Sequence, residues 1–403
     1  MAERLHVGTR KGLFDLARRN GVWDVVETHF LGDPVSAVLA EGDAVYAALD
    51  LGHFGAKLWR RDGAGEWREL AAPVFPPKPE DAADDPHPWS LGKIWVLEPG
   101  GVPGRLWAGT MPGGLFRSDD AGASWSLNEA LWRMPERRQW QGVAGGEQPG
   151  ISTVLIDPRN PDDIRIGVST AGVWASTDGG ASWRIINEGM YNEYMPPEQK
   201  GLPIAQDIHR LARCAAYPEI MWCQHHNGVF RSEDGGHNWH EVAAIRPSKF
   251  GFAVAAHPRD PNTAWFVPAV KDERRIPMDG KVVVADPRRR QQLRGIAQRA
   301  AAAPCLRSGM AACAGGRCER RATRLRVDQR RAVDLGELRR QLDDARGAAA
   351  AGLGRAVRRS VRKRSRATKP KSTCAPKPRR GDRQQPAIPA GGGHSNEGTH
   401  RCS

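Results

Sequence analysis

Three copies of one eight-residue pattern constrain the fold of this chain more than any other feature. They occupy residues 118–125 (SDDAGASW), 176–183 (STDGGASW) and 232–239 (SEDGGHNW), and all fit Ser-x-Asp-x-Gly-x-(Ser/Asn)-Trp. Their tryptophans are 58 and 56 residues apart, and weaker copies end at Trp23 and Trp67. A period of about 50 residues is typical of β-propeller blades. Since one catalytic site does not need several copies, we interpret the pattern as a structural turn.

Four residues of each copy are assigned structural roles. They are Ser118, Asp120, Gly122 and Trp125; Ser176, Asp178, Gly180 and Trp183; and Ser232, Asp234, Gly236 and Trp239. Each copy lies between two short apolar runs, such as GVWAS and WRII around Asp178, which predicts the tip of a β-hairpin. The carboxylate is expected to accept hydrogen bonds from backbone N–H groups, and the glycine to adopt a positive φ. We therefore expect Asp178→Ala to lower stability rather than to change ligand binding.

Alignment on this pattern gives four strand-like runs per repeat unit. The units span residues 36–70, 91–128, 151–187, 208–243 and 251–285, and a first unit at 4–27 has three runs. A first unit without its innermost strand is expected in a ring that its own C-terminus closes, and closure removes exposed sheet edges. The sequence therefore predicts an all-β fold, a β-propeller of four-stranded antiparallel blades. Six units are recognisable, and about seven are expected if the ring is complete.

The repeated segments resemble the Asp-box (BNR) repeat of the sialidase-like β-propellers, a group that includes sortilin-type and xyloglucanase-type domains. The resemblance covers residues 4–285. In that family the boxes lie on the face away from the active site, so the resemblance implies a site on the opposite face. A sialidase needs three arginines, a Tyr–Glu nucleophile pair and an acid/base Asp. The family's Phe/Tyr-Arg-Ile-Pro motif does not occur before the first box.

Charge and aromatic content divide the chain near residue 285. Residues 1–285 contain 30 Lys and Arg against 37 Asp and Glu, whereas residues 286–403 contain 30 against 9. All 14 Trp, 9 Phe and 4 Tyr precede residue 286, so the second segment has no aromatic residue with which to build a core. We therefore expect a propeller domain over 1–285 and, over 286–403, an Arg/Ala/Gly-rich low-complexity tail that is disordered or partly helical.

Two origins stay open for this basic tail. The repeat places the next box near residue 288, where the chain reads RRRQQL. Codons for these residues, read one base later, can encode Asp-Gly-Gly-Asn-Ser, so the tail is interpreted as an out-of-frame reading of closing blades. Under this interpretation the strands that would close the ring are missing, so the propeller is incompletely closed. The alternative is a genuine segment that binds nucleic acid non-specifically through phosphates, and sequencing of the coding DNA decides between the two.

The long connections lie on the face opposite the boxes, because successive antiparallel strands reverse direction. They cover residues 71–90, 129–150 and 188–207, and each is longer than a connector without function usually is. Residues expected to bind a ligand there or in the adjoining turns are His209, His225, His226, Lys271, Arg275, Trp140 and Tyr194. The candidates for catalysis are the carboxylates Glu198, Asp207 and Glu273.

These candidates also have structural alternatives. His225 and His226 are adjacent in a strand and point to opposite sides, so at most one faces the propeller axis. The run around Glu273 also fits a solvated, salt-bridged loop. Trp140 fits either a loop core or a platform for a sugar ring, and Tyr194 offers a second flat face.

Two functions stay open. The first is a soluble propeller that binds a glycan, a small molecule or a protein, and the second is a glycoside hydrolase, exo-sialidase-like or of another type. We expect no cofactor and no metal site, because Cys214, Cys223 and the five later cysteines lack zinc-ligand spacing. Since the chain has no apolar run long enough for a signal peptide or a membrane span, a cytoplasmic location without a membrane partner is expected.

Overall fold

The computed structural model describes residues 4–142, 148–243, 245–271, 274–277, 282–285 and 295–296, with side chains up to residue 270. All of them belong to the first of two structural units, Met1–Arg346, and the second, Gly347–Ser403, lies outside the described residues. Within the described part, no helix is long and apolar enough to span a membrane. Of the expected tail, only the backbone of Gly295–Ile296 is described.

Six antiparallel sheets follow one another along the chain. The first three contain β1 (Arg4–Thr9), β2 (Gly12–Arg19) and β3 (Val22–His29); β4 (Val35–Glu41), β5 (Ala44–Asp50), β6 (Ala56–Asp62) and β7 (Arg68–Leu70); and β8 (Lys93–Pro99), β9 (Leu106–Met111), β10 (Leu115–Ser118) and β11 (Ser126–Leu127). The fourth and fifth contain β12 (Ile151–Asp157), β13 (Asn160–Val168), β14 (Gly172–Ser176) and β15 (Arg184–Ile185); and β16 (Ile208–Arg213), β17 (Met221–His225), β18 (Gly228–Ser232) and β19 (His240–Glu241). The sixth contains β20 (Gly251–Ala256), β21 (Ala264–Lys271), β22 (Arg274–Pro277), β23 (Val282–Ala285) and β24 (Gly295–Ile296).

Helical structure among the described residues is confined to short segments between strands. They are α1 (Glu129–Trp132) and the 3₁₀ helices Gly52–Phe54, Glu80–Ala82, Pro135–Gln139 and Pro203–Ala205. The all-β propeller prediction is therefore confirmed, including a first sheet with only three strands. The sixth sheet differs from the expected four strands, because β22 pairs with β21 beside the main path and β24 extends the sheet beyond residue 285.

The hydrophobic core is divided among the gaps between consecutive sheets. Five clusters of buried side chains each join one sheet to the next. Central strands such as β5 and β14 are buried on both faces, since each blade packs against a neighbour on both sides. The outermost strands β11, β15 and β19 are only two residues long, and short edge strands limit pairing with other chains.

The three box segments form the turns between the third and fourth strands of their sheets. In the middle copy, the Ser176 hydroxyl accepts a hydrogen bond from Gly180 N (2.8 Å) and donates to Asp178 Oδ1 (2.7 Å). Asp178 accepts from the backbone and hydroxyl of Ser182 at 2.9 and 2.5 Å. The hydroxyls of Ser182 and Ser176 lower the pKa of Asp178 to about 2. The turn therefore contains a carboxylate that is ionised at all but strongly acidic pH.

Each box also joins its sheet to the preceding one through a backbone carbonyl. The three bonds run from Tyr46 Oη to Ala121 O (3.1 Å), from Asn128 Nδ2 to Gly180 O (2.9 Å) and from Arg165 Nε to Gly235 O (2.9 Å). Consecutive positive φ angles expose these carbonyls, and Gly179 and Gly180 have φ of 70° and 94°. The boxes are therefore contacts between blades as well as hairpin turns.

We predict that Ser176→Ala lowers the free energy of unfolding by about 1–3 kcal/mol, because it leaves the buried Gly180 N–H without an acceptor. Ser176 is buried, whereas Ser182 is exposed and water can replace its hydroxyl. Ser182→Ala is therefore the matched control and is expected to have a smaller effect. Urea unfolding of the full-length variants measures both. Equal destabilisation by the two substitutions would contradict this role of the serine.

Candidate functional site

Three long connections share the face opposite the boxes, which we call the long-loop face. Loop I (71–92) joins β7 to β8, loop II (128–150) joins β11 to β12, and loop III (186–207) joins β15 to β16. Each runs from the outermost strand of one sheet to the innermost strand of the next. The side chains of the loops and of the strand ends beside them therefore form the candidate site.

A buried ion pair fixes loop I against loop II. Asp85 accepts hydrogen bonds from Arg137 and from the Trp89 indole (2.9 Å), while Arg137 donates to the carbonyl of Trp132. The guanidinium carbon of Arg137 also lies 4.0 Å from the centre of the Trp132 ring. Burial raises the pKa of Asp85, but the bonds from Arg137 and the backbone outweigh it and leave the pKa below its usual value. These loops are therefore held in place rather than merely solvated.

Loop III is held by buried amide side chains. Asn192 Nδ2 donates to the Ala205 carbonyl at 2.7 Å, and Gln206 Nε2 donates to the carbonyls of Lys200 and Leu202 at 3.0 and 2.8 Å. The buried side chains of Asn192 and Gln206 therefore cross-link this irregular loop from within. The loop ends at Asp207, directly before β16.

Asp207, His209 and His226 form a cluster where β16 begins and β17 ends. Asp207 is only 5% exposed, and its Oδ2 lies 3.0 Å from His226 Nδ1 and 3.7 Å from His209 Nε2. Ser169, in the turn after β13, approaches Asp207 Oδ1 at 3.4 Å. Burial raises the pKa of Asp207, but the neighbouring histidines outweigh it and hold the pKa well below its usual range. The carboxylate is therefore ionised inside the protein.

Aromatic rings enclose the two imidazoles of this cluster. His209 stacks on Phe252 with centroids 4.6 Å apart and planes inclined by 13°. His226 contacts Phe250 (5.3 Å) and the edge of Tyr194 (4.6 Å). Tyr194 is 70% exposed, so the cluster lies beneath a ring that solvent reaches.

The rim of the cluster carries charged groups from three segments. Lys249, two residues before β20, pairs with Glu193 of loop III (3.1 Å) and Glu241 of β19 (3.3 Å). The amide of Glu193 also donates to Asn227 Oδ1 at 3.2 Å. These contacts tie loop III to the turn that contains His226, and so position Tyr194.

His225 does not face the cluster's open side. It is fully buried, and its Nε2 accepts a hydrogen bond from the amide of Asp207 at 3.1 Å. Burial lowers the pKa of His225 to about 3, so the ring is neutral. Its role is to hold the backbone of Asp207, in agreement with the structural alternative for one member of the histidine pair.

The other predicted site residues lie in different surroundings. Trp140 is 3% exposed and packs on Trp174 at 5.7 Å, which leaves no free face for a ligand. Glu198 is exposed and its side chain forms no hydrogen bond or ion pair with the described residues. Glu273 lies outside the described residues, as do the side chains of Lys271 and Arg275.

A Tyr–Glu pair of the kind that a sialidase requires is found at the rim of the cluster. Tyr191 Oη donates to Glu241 Oε2 at 2.6 Å, and Tyr191 packs on Phe230 at 5.7 Å. Burial, followed by the hydrogen bond to Glu241, raises the pKa of Tyr191 to about 12. Glu241 belongs to β19, the outermost strand of its sheet, and the raised pKa keeps the phenol of Tyr191 protonated at neutral pH.

Comparison with known proteins gives similarity in fold. No family model and no curated protein matches the chain. A GH74 xyloglucanase from Xanthomonas campestris is 17% identical over 72% of this chain and 46% of its own, with a TM-score of 0.33. An ancestral GH74 enzyme is 17% identical over 62% of this chain and 29% of its own, with a TM-score of 0.42. YCF48 from Cyanidioschyzon merolae is 14% identical over 70% of this chain and 92% of its own, with a TM-score of 0.34.

All three have β-propeller-type folds, and this chain spans less than half the length of the two GH74 enzymes.

Proposed function

We propose that this chain is a sialidase-like, Asp-box propeller that binds a ligand on the long-loop face, at the cluster of Asp207, His209 and His226. The ligand is a glycan, a small molecule or a protein segment. One observation carries the proposal: an ionised carboxylate is buried between two imidazoles beneath the exposed Tyr194. Burying a charge opposes folding, and clefts with perturbed titratable groups are often functional sites.

The surroundings of the cluster also favour binding. Its imidazoles and carboxylate offer both donors and acceptors, while Tyr194 and Phe250 offer ring surfaces beside them. Ligand sites commonly combine apolar walls with a few fixed polar groups. The ion pairs of Lys249 and the buried amides of loop III hold these groups in place before a ligand binds.

The geometry gives less support to glycoside hydrolysis. A glycosidase of the usual kind places two carboxyl groups about 5–9.5 Å apart across the scissile bond. Asp207 is held by histidines, and the exposed Glu198 has no contact that fixes it as a partner. Burial and the hydrogen bond to Glu241 raise the pKa of Tyr191, so its phenol is protonated at neutral pH. Binding without turnover is therefore the proposed activity.

The proposal predicts that His226→Ala weakens ligand binding at least about 10-fold by removing a polar group and an aromatic contact from the site. The full-length chain is screened against glycan arrays and a metabolite panel, and each hit is assayed for affinity and hydrolysis. His240→Ala, in the outermost strand β19, is the matched control because His240 is exposed. Unchanged affinity in His226→Ala would place the site elsewhere, and turnover of a hit would favour the hydrolase.

A further inference from the structure

We propose that Asp207, His209 and His226 bind one divalent transition-metal ion, through which the protein holds its ligand. The inference rests on the proposed function, because it uses the same site. It concerns three atoms that converge beneath Tyr194: Asp207 Oδ2, His209 Nε2 and His226 Nδ1.

The spacing of these atoms suits a single ion. The Asp207 carboxylate oxygen lies 3.0 Å from His226 Nδ1 and 3.7 Å from His209 Nε2, and each of the three residues has a ligand atom within 4.8 Å of those of the other two. With metal–ligand distances of about 2.0–2.2 Å, neighbouring ligand atoms of a tetrahedral or octahedral ion are about 3–3.6 Å apart. Small rotations of the side chains therefore bring the three atoms to bonding distance.

The hydrogen bonds of the histidines leave the converging nitrogens available. His209 Nδ1 lies 2.6 Å from the carbonyl of Gly251 and so carries the proton, which leaves the lone pair on Nε2. Metal-binding histidines typically donate their second nitrogen to such an acceptor. His226 Nδ1 is buried and, although it is close to Asp207, it has no hydrogen-bond partner in an aligned direction.

The donor set defines the class of metal. Two imidazoles and one carboxylate suit Zn²⁺, Fe²⁺, Co²⁺ or Ni²⁺, whereas Mg²⁺ and Ca²⁺ prefer oxygen ligands alone. Three protein ligands leave a coordination position open. The exposed Tyr194 marks the side from which a hydroxyl, carboxylate or phosphate oxygen of a ligand reaches that position.

A second group with similar spacing shows why proximity alone is insufficient. Asp15, Glu27 and His29 also have ligand atoms within 4.8 Å of one another. There, however, Arg61 pairs with Asp15 (2.5 Å) and Glu27 (2.9 Å) and lies 2.8 Å from His29 Nε2. A guanidinium already occupies the place of a cation, so this group is expected to bind no metal.

The test is a titration of chelator-treated full-length protein with Co²⁺ and, separately, with Zn²⁺. Calorimetry follows the binding of both ions, and the visible absorption spectrum follows the binding of Co²⁺. We expect saturable binding that His226→Ala and His209→Asn each weaken more than about 10-fold. Asparagine retains a donor for the Gly251 carbonyl, and a melting curve checks that each variant is folded. His240→Ala is expected to bind as the wild type does. Thiolate charge-transfer bands would reveal binding by cysteines instead.

Absence of saturable binding by the wild type, or binding as tight as the wild type's in both site variants, would overturn the metal inference. If a ligand from the screen still binds metal-free protein and is lost in His226→Ala, the proposed function stands without the metal. If neither metal nor ligand depends on these histidines, both proposals fail. The two failures are therefore distinguishable.

Discussion

Replacing Asp85 with alanine is expected to lower the free energy of unfolding by about 3–5 kcal/mol, because it leaves the guanidinium of Arg137 buried without a counter-charge. The side chains of Asp85 and Arg137 are 0% and 2% exposed. Two further groups depend on the carboxylate, since the Trp89 indole and the amide of His87 both donate to it. The substitution thus leaves a buried cation without a counter-charge, the buried amide of His87 without its acceptor and the half-buried Trp89 indole without its acceptor.

Asp84→Ala is the matched control for this prediction. Asp84 pairs with Arg138 at 2.8 Å in the same two loops, but its side chain is 75% exposed. Exposed ion pairs contribute about 0–1 kcal/mol, so the control is expected to change stability little. Urea unfolding of both full-length variants measures the difference. If the two substitutions had equal effects, the ion pair would not hold loops I and II together.

The second large effect concerns the ion-pair cluster between the first two sheets. Asp15 accepts from His6 Nδ1 (2.6 Å) and Arg61 Nη2 (2.5 Å) in buried surroundings. Burial raises the pKa of Asp15, but His6 and Arg61 outweigh it and lower the pKa to about 2. A carboxyl group with a lowered pKa stabilises the folded state above its unfolded pKa of about 4. This contribution, about 2 kcal/mol, is lost as the pH falls from about 4 to about 2.

This prediction is checked by unfolding the wild type and Asp15→Asn across a pH series. The stability difference between them is expected to be constant above pH 5 and to shrink by about 2 kcal/mol by pH 2, because only the wild-type carboxyl group is protonated there. Asp43→Asn, in the exposed turn between β4 and β5, is the control and is expected to show no such change. A difference that does not vary with pH would contradict the lowered pKa.

The repeat made most of the fold predictable, because the boxes set the register of whole blades. The sequence predicted six units, of which the first five agree with the observed sheets to within a few residues, and it predicted the three-stranded first sheet. It also identified the box residues and the backbone contact of Asp178, which accepts from Ser182 N, but it did not predict that Ser176 accepts from Gly180 N. Short-range patterns specify such turns because the hydrogen bonds that close each turn lie within eight residues.

The candidate site was less predictable, because its contacts cross between blades and loops. His209 and Phe252 are each the second residue of the innermost strand in consecutive sheets. Superposing the units would have placed the two rings side by side. Asp85 and Arg137 are 52 residues apart in connections without a repeat, and no local pattern indicates their pairing. Trp140 illustrates the same point, since only the packing of Trp174 shows that its face is covered.

The central claim is that the two faces of the propeller have different roles, the box face for stability and the long-loop face for binding. It is tested most directly by measuring affinity and melting temperature for Ser176→Ala and His226→Ala side by side, with a ligand that the glycan and metabolite screen identifies. We predict that Ser176→Ala melts at a lower temperature but binds normally while folded, and that His226→Ala melts nearly as the wild type does but loses binding. Loss of binding in Ser176→Ala together with normal binding in His226→Ala would contradict the claim.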